Sequence, residues 1–467
     1  MSACVTYCAI AHTLESVLAI ARSGMKEGVR RDRPARILIV GGGYVGMYTA
    51  LRLQRRLKPN EATVTVVDPQ SYMTYQPFLP ESAAGNLEPR HLVVSLRRVL
   101  RRCEVLSGRI TSISHAQRRA RFEPAEGPGR DLEYDILVVA LGSIARTLPI
   151  PGLADQAIAF RTVAEAIFLR NRVLSRLDLA ASNDDAELRR RALTFLFIGG
   201  GYAGIEAIAE LQDMAQDALR FYPQLGVKDM RWLMVEAAGR ILPEVSLDLA
   251  EYTVRQLEKQ GIEVRLNTRV ESMVDGHVIL DDGSTCDAET IVWTAGVRAH
   301  PLLESTDLPL DGSRRLVCQA DLRVDGATDA WAAGDCAAVP DLSKDDPHAV
   351  TGPTAQHAVR QAKRLADNLI AALRGRPTVD YNHAYAGSVA SLGLHRGVAE
   401  IYGIKLRGWP AWFMHRTYHV SRMPTTNRKV RVIADWTLAL FFRRDIVSLG
   451  SLSDPRQDFI EASQGQG

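Results

Sequence analysis

Two glycine strings carry the plainest chemistry in this sequence. Gly41-Gly-Gly43-Tyr44-Val45-Gly46 and Gly199-Gly-Gly201-Tyr202-Ala203-Gly204 both read G-x-G-x-x-G and differ only at the fifth place. Such a turn suits a diphosphate. Its first glycine allows the tight turn, its second leaves the backbone open to a pyrophosphate, and its third lets a helix pack close to a strand. The helix that follows aims free N–H groups and a positive dipole end at the phosphates. The two tyrosines read as packing residues of the loops. Each string is followed by an apolar run that ends in an acid, Asp68 and Glu236, where a ribose-hydroxyl acceptor belongs. Two cradles imply two dinucleotides. Glu236 accepts from a free 2′-hydroxyl and repels a 2′-phosphate. Ala237 and Ala238 offer no cation and Arg240 is the only nearby candidate, so NADH is favoured over NADPH.

The elements that must position these loops are legible too. Residues 36–40 (R-I-L-I-V) and 193–198 (L-T-F-L-F-I) are apolar without alternation, as expected of strands buried on both faces of a parallel sheet. Helices are expected over 47–57 and 206–215, and further strands over 63–67 and 232–235. Strand, glycine turn, helix, strand and terminal acid together define a Rossmann-like unit, and the unit occurs twice.

Composition bounds the rest. The chain has 467 residues, room for two to three domains, and a net charge of +3 too small to imply a nucleic-acid partner. Its six cysteines, Cys4, Cys8, Cys103, Cys286, Cys318 and Cys336, form no C-x-x-C and no metal-ligand spacing, so no metal is expected. No apolar run reaches the length needed to cross a bilayer. The first 24 residues lack a basic start and clean apolar core, and Met25 is an alternative start. Residues 401–450 hold nine Lys/Arg against two acids, with Trp409, Trp412 and Trp436 among them. Val432, Ile433, Trp436, Leu440 and Phe441 recur there at helical spacing. Two readings stand side by side: a helix lying in the interface of an anionic membrane, or one packed on the protein or against a second copy in a homodimer.

Three further strings make the chain resemble the FAD/NAD(P)H oxidoreductases with two dinucleotide folds: Y-D-I-L-V-V-A-L-G at 134–142, I-V-W-T-A-G at 291–296 and D-A-W-A-A-G-D at 329–335. The resemblance implies that Ala140 and Gly142 line the way out of the FAD domain and that Ala295 and Gly296 do the same for the NAD domain. It implies that Gly334 and Asp335 meet the flavin ribityl chain, the next helix aiming its positive end at the flavin ring. Further strings are similar to type II NADH:quinone oxidoreductases, single-subunit peripheral membrane enzymes that pump no protons. They are Q-P-F-L at 76–79, V-E-A-A-G-R-I-L-P at 235–243, residues 436–447, and A-Q-H-A-V-R at 355–360 against the family's A-Q-x-A-x-Q.

The fold expected from this resemblance is α/β: two Rossmann-like dinucleotide-binding domains with the NAD domain inserted in the FAD domain, plus a C-terminal amphipathic membrane-association segment. The expected bounds are 36–150 and 311–395 for FAD, 151–310 for NAD(H) and 396–467 for the C-terminal segment, after an N-terminal extension 1–35. The reaction implied is NADH to FAD to quinone, at the cytoplasmic face of the cell membrane. Glu206 would face the flavin–nicotinamide contact, or else be an ordinary polar helix residue. Gln356 would meet a quinone carbonyl, or else cap a helix. Arg360 stands where the family has its second Gln, with Gln361 adjacent. His395 is a proton-source candidate, more simply a surface or core histidine. Thiol chemistry has little support, since no cysteine lies between 104 and 285 and the helix after the first glycine string has none. A soluble reductase of a ferredoxin-like protein and an NADH-sensing flavoprotein remain the rivals.

Overall fold

The computed structural model describes residues 33–383, 387–448, 456, 460 and 462. Most of the N-terminal extension, with Cys4, Cys8 and Met25, lies outside the described residues. The chain divides into two compact units.

The first unit comprises residues up to 71, 96–143 and 299–383. Its sheet runs in the order Ala330–Ala332, Ile136–Val139, Ala35–Val40, Ala62–Asp68, Glu104–Ser114, Arg119–Pro124, Arg130–Glu133. The first five strands are parallel and the last two complete an antiparallel meander. The apolar run at 36–40 is the middle of the parallel part, and Ile37 to Val40 are buried. The Tyr44–Arg56 helix packs against the Ala355–Leu373 helix through small groups: the Thr49 hydroxyl reaches the Ala362 carbonyl at 3.3 Å. The Arg52 guanidinium closes that contact with a bidentate pair to Asp367, both bonds 2.7 Å.

The second unit comprises 72–95, 144–298 and 384 onward. Its five-stranded sheet is wholly parallel, in the order Ala157–Ala159, Thr290–Trp293, Thr194–Ile198, Arg231–Val235, Ile262–Arg265. Phe195 and Trp232 stack on neighbouring strands, ring centroids 4.3 Å apart. A separate antiparallel sheet, Gly387–Ser391, Gly397–Ile401 and Ile404–Arg407, leads into the helices Trp409–Arg422 and Thr426–Leu438.

Both glycine-loop helices begin earlier than periodicity suggests, at Tyr44 and Tyr202, because the loop glycines Gly43 and Gly201 are themselves the N-caps. The unit boundaries also differ from the expected 150, 310 and 395. Residues 72–95 group with the second unit because their side chains pair with its C-terminal helices: Glu81 with Arg416, His91 with Asp435. The apolar stripe of the last helix is out of phase with the expected one. Val432 is buried and Trp436 turns inward, whereas Val430, Ile433 and Leu438 are exposed, followed by Leu440, Phe441 and Phe442. No helix among the described residues is long and apolar enough to cross a membrane.

Candidate functional site

The two cradles are built alike. In the first, Gly41 has φ +105°, and a Cβ on Gly46 would fall 1.8 Å from the Gly41 carbonyl oxygen, so both positions exclude a side chain. A Cβ on Gly43 would meet nothing within 4 Å, leaving the open space a pyrophosphate needs. Gly199 (φ +111°), Gly204 and Gly201 repeat the pattern. Asp68 Oδ2 accepts the Gly42 N–H at 2.6 Å, and Glu236 Oε2 accepts the Gly200 N–H at the same distance. Each acid thus closes its own loop. Burial pushes the Asp68 carboxyl up, while the N–H groups of Gly42 and Gln70 pull it back. The arrangement fits a dinucleotide in each unit.

Arg240 is committed elsewhere. Its guanidinium donates to the carbonyls of Leu242 and Val245. Ala295 and Gly296 follow the Thr290–Trp293 strand as Ala140 and Gly142 follow the Ile136–Val139 strand. The late motif departs from expectation. Its strand stops at Ala332, Gly334–Cys336 forms a single 3-10 turn, and the next helix begins only at Ala355, capped by Thr354. Ser143 donates to Asp335 at 2.7 Å and holds that carboxylate in place.

On the Ala355–Leu373 helix, Arg360 Nη1 donates to the Gln356 side-chain oxygen at 3.0 Å. Gln361 does not replace the family's second amide. It is buried, accepting from the Gly334 N–H at 2.7 Å and donating to the Thr351 hydroxyl at 3.0 Å, so it pins the late turn. Cys103, Cys286, Cys318 and Cys336 are free thiols, and burial pushes Cys103 and Cys336 up to about 11, away from the reactive thiolate.

In the second unit Glu206 sits in a buried polar cluster that sequence reasoning missed. Its Oε1 accepts the Ser391 N–H at 3.0 Å and lies 3.0 Å from His415 Nε2. One turn on, Glu210 accepts the Ser391 hydroxyl at 2.8 Å and the Asn86 amide at 3.2 Å. Glu81 accepts from Arg416 at 2.8 Å and from the Trp436 indole at 2.9 Å. The Arg416 guanidinium lies over two indoles, Trp412 at 4.1 Å and Trp436 at 4.8 Å. Burial alone would push His415 down, but Glu206, with Glu81 and Glu210 behind it, holds it above the usual histidine range. Burial and the charge of His415 push His419 well below it. Burial pushes Glu210 up to about 7, Glu81 and Asp213 adding to the rise. The readable signal was the helical spacing of Glu206, Glu210 and Asp213, and of His415 and His419. His395 lies apart from this bonded cluster, edge-on to Trp412 at 4.7 Å.

Two dinucleotide cradles, one per unit, define a pyridine-nucleotide flavoprotein, and the pyridine nucleotide-disulphide oxidoreductase family model matches residues 35–362. The NDH2 C-terminal domain model matches 385–445. The type II NADH:quinone oxidoreductase of Staphylococcus saprophyticus is 30% identical over 390 residues, covering 82% of this chain and 93% of that protein. A probable NADH dehydrogenase of Dictyostelium discoideum is 28% identical over 88% of this chain and 91% of its own length. The solved NDH2 of Plasmodium falciparum, in complex with NADH, superposes with a TM-score of 0.82 at 19% identity, over 89% of this chain and all of that one. The chain belongs to the pyridine nucleotide-disulphide oxidoreductases and, among them, to the type II NADH:quinone oxidoreductases. It is an NADH dehydrogenase that uses FAD and hands its electrons to a quinone.

Proposed function

We propose that the reaction is carried by the residues just described, at a membrane surface and without proton pumping. The observation that supports this reading is the pair of cradles, each closed by its own acid, in a chain whose C-terminal region matches the NDH2 domain. The first unit is the FAD-binding domain and the second the NADH-binding domain. When bound, FAD supplies a hydride acceptor that can release two electrons. Gly41 to Gly46 and the helix start at Tyr44 hold its pyrophosphate, Asp68 its ribose and Asp335 its ribityl chain. Ala140 and Gly142 lie beside it, with no side chain bulky enough to block it. Gly199 to Gly204 hold the NADH pyrophosphate and Glu236 its ribose, with Ala295 and Gly296 alongside. Glu206 orients the nicotinamide or passes a proton. The Gln356 amide meets a quinone carbonyl, and Arg360 fixes the way that amide points.

Attachment is peripheral, at the cytoplasmic face of the cell membrane. Val430, Ile433 and Leu438 on the last helix are exposed, as are Leu440, Phe441, Phe442 and Arg443 just after it. Basic residues around exposed apolar ones suit an anionic lipid surface.

The test is steady-state NADH oxidation by the FAD-loaded protein with a water-soluble quinone, with ferredoxin and with no acceptor. Liposome flotation of a variant carrying Ile433→Ser, Leu438→Ser and Phe441→Ser accompanies it. Turnover with quinone alone, and loss of flotation, support the proposal. Turnover with ferredoxin alone moves the acceptor to a protein. A doubled mass in solution that the same substitutions abolish assigns these side chains to a contact between two copies.

A further inference from the structure

Two loops of the second unit are tied together beside its cradle. The strands Arg231–Val235 and Ile262–Arg265 run parallel as neighbours and release their chains at the same end of the sheet. That is the end where such sheets bind ligands. Three backbone bonds carry the pairing past the strands. Glu236 donates its N–H to the Arg265 carbonyl at 2.8 Å, Thr268 donates to the Glu236 carbonyl at 3.0 Å, and Asn267 donates to the Ala238 carbonyl at 3.0 Å. Asn267 therefore sits against the loop that carries the ribose acid. It holds φ +53°, a left-handed conformation that asparagine tolerates better than most residues.

The acid itself is fixed in place. Glu236 Oε2 accepts the Gly200 N–H at 2.6 Å and Oε1 accepts the Ala238 N–H at 2.7 Å. A ribose held there turns its base away from the pyrophosphate, toward the residues that follow Glu236. Those are Ala237, Ala238 and Gly239, all exposed and none with a side chain longer than a methyl group. They leave an open shelf on which a planar base can lie. Asn267 stands at its edge. A Cβ on Gly239 would fall 3.1 Å from the Asn267 side-chain oxygen, so the glycine leaves room for the carboxamide.

The neighbouring polar side chains are already engaged. Arg240 serves the Leu242 and Val245 carbonyls. The Thr268 hydroxyl donates to the Leu266 carbonyl at 2.9 Å. Arg269 faces Asp281, 3.8 Å away. The Asn267 carboxamide is exposed and has no hydrogen-bond partner among the described residues. A carboxamide is the side chain that matches adenine: its oxygen accepts from the 6-amino group while its NH2 donates to the ring nitrogen alongside.

We propose that Asn267 reads the adenine of the dinucleotide in the second cradle, a specificity residue for the base as Glu236 is for the ribose. The inference rests on the reading above that NADH occupies this cradle. No bond is made or broken at Asn267. It binds the nucleotide equally before and during hydride transfer, so its effect falls on KM and leaves kcat alone.

The test compares NADH with reduced nicotinamide hypoxanthine dinucleotide, which carries a carbonyl oxygen where adenine has its amino group. Both are run at steady state with the FAD-loaded protein and a water-soluble quinone. Wild type should prefer NADH by about 5- to 100-fold in kcat/KM. Asn267→Gly suits the left-handed backbone and removes only the carboxamide, so it should fold and hold its full FAD. Its KM for NADH should rise until the two nucleotides are used alike, with kcat unchanged. Glu236→Ala removes a ribose contact that both nucleotides share and should weaken both equally, with the base preference intact. A wild type that uses both nucleotides alike, a preference that survives Asn267→Gly with full FAD content, or an equal loss with both nucleotides in that variant overturns the role of Asn267. Loss of FAD from Asn267→Gly with its KM for NADH unchanged, or wild-type kinetics in Glu236→Ala, refutes instead the placing of NADH in this cradle.

Discussion

Glu81 and Trp436, 355 positions apart, share a 2.9 Å hydrogen bond in which the indole N–H donates to a carboxylate that is 1% exposed. The same oxygen accepts from Arg416. Trp436→Phe keeps the ring packed on Phe78, 5.5 Å away and edge-on, and removes only the donor. Loss of a bond to a buried charged acceptor costs about 1.5–3 kcal/mol. The melting temperature should fall by several degrees, on the order of 2–4 °C per kcal/mol, with flavin content unchanged. Scanning calorimetry of the two proteins checks this.

Glu210 makes stability depend on pH. Its carboxyl is raised from an ordinary 4.5 to about 7 in the folded chain. A raised group stabilises fully at pH below its unfolded value and loses that contribution as pH rises through its folded value. Wild type should therefore lose stability as pH climbs through about 7. Glu210→Gln should lose less, as melting curves on either side of that pH will show.

The ribose corner of the second cradle predicts cofactor choice. Glu236→Ala should lower kcat/KM for NADH by roughly 10- to 100-fold, the loss of one charged hydrogen bond. It should narrow the preference over NADPH. Arg240→Ala should leave that preference unchanged, because Arg240 serves the Leu242 and Val245 carbonyls. Steady-state kinetics with both nucleotides separates the two variants.

Two glycines of the first cradle should fail differently. Gly46→Ala places a methyl group against the Gly41 carbonyl, so the loop cannot close and the protein should fold poorly. Gly43→Ala has room for its methyl and should fold. That methyl occupies the space of the pyrophosphate, so FAD content should drop while the apo-protein melts at the wild-type temperature.

The cradles were legible because everything that makes them lies within a few dozen consecutive residues. Spacing alone singled out Gly41, Gly43, Gly46 and Asp68, and their counterparts, and each set forms one turn closed by its acid. The Glu206 cluster was not legible, because Glu81, Ser391 and Arg416 are brought together only by tertiary packing. The last helix misled for another reason. It is apolar on two faces, so a single period could not say that Val432 and Trp436 turn inward while Val430 and Ile433 turn out. The adjacency of Gln361 to Arg360 also misled: one step along a helix is a rotation of about 100°, which carries Gln361 to the buried side and the Gly334 turn.

The thirteen residues from Thr426 to Leu438 therefore work on two fronts. One side of the helix is offered to the surroundings; the other roofs Glu81 and wedges Trp436 against Phe78. Cutting the chain before this helix would not simply release an anchored body from its anchor. It would unroof a buried acid, strip Arg416 of one of its two indoles and expose Phe78. A shortened protein that fails to turn over would report the loss of that roof as readily as the loss of a membrane, so the outward side chains must be changed with the inward ones left alone.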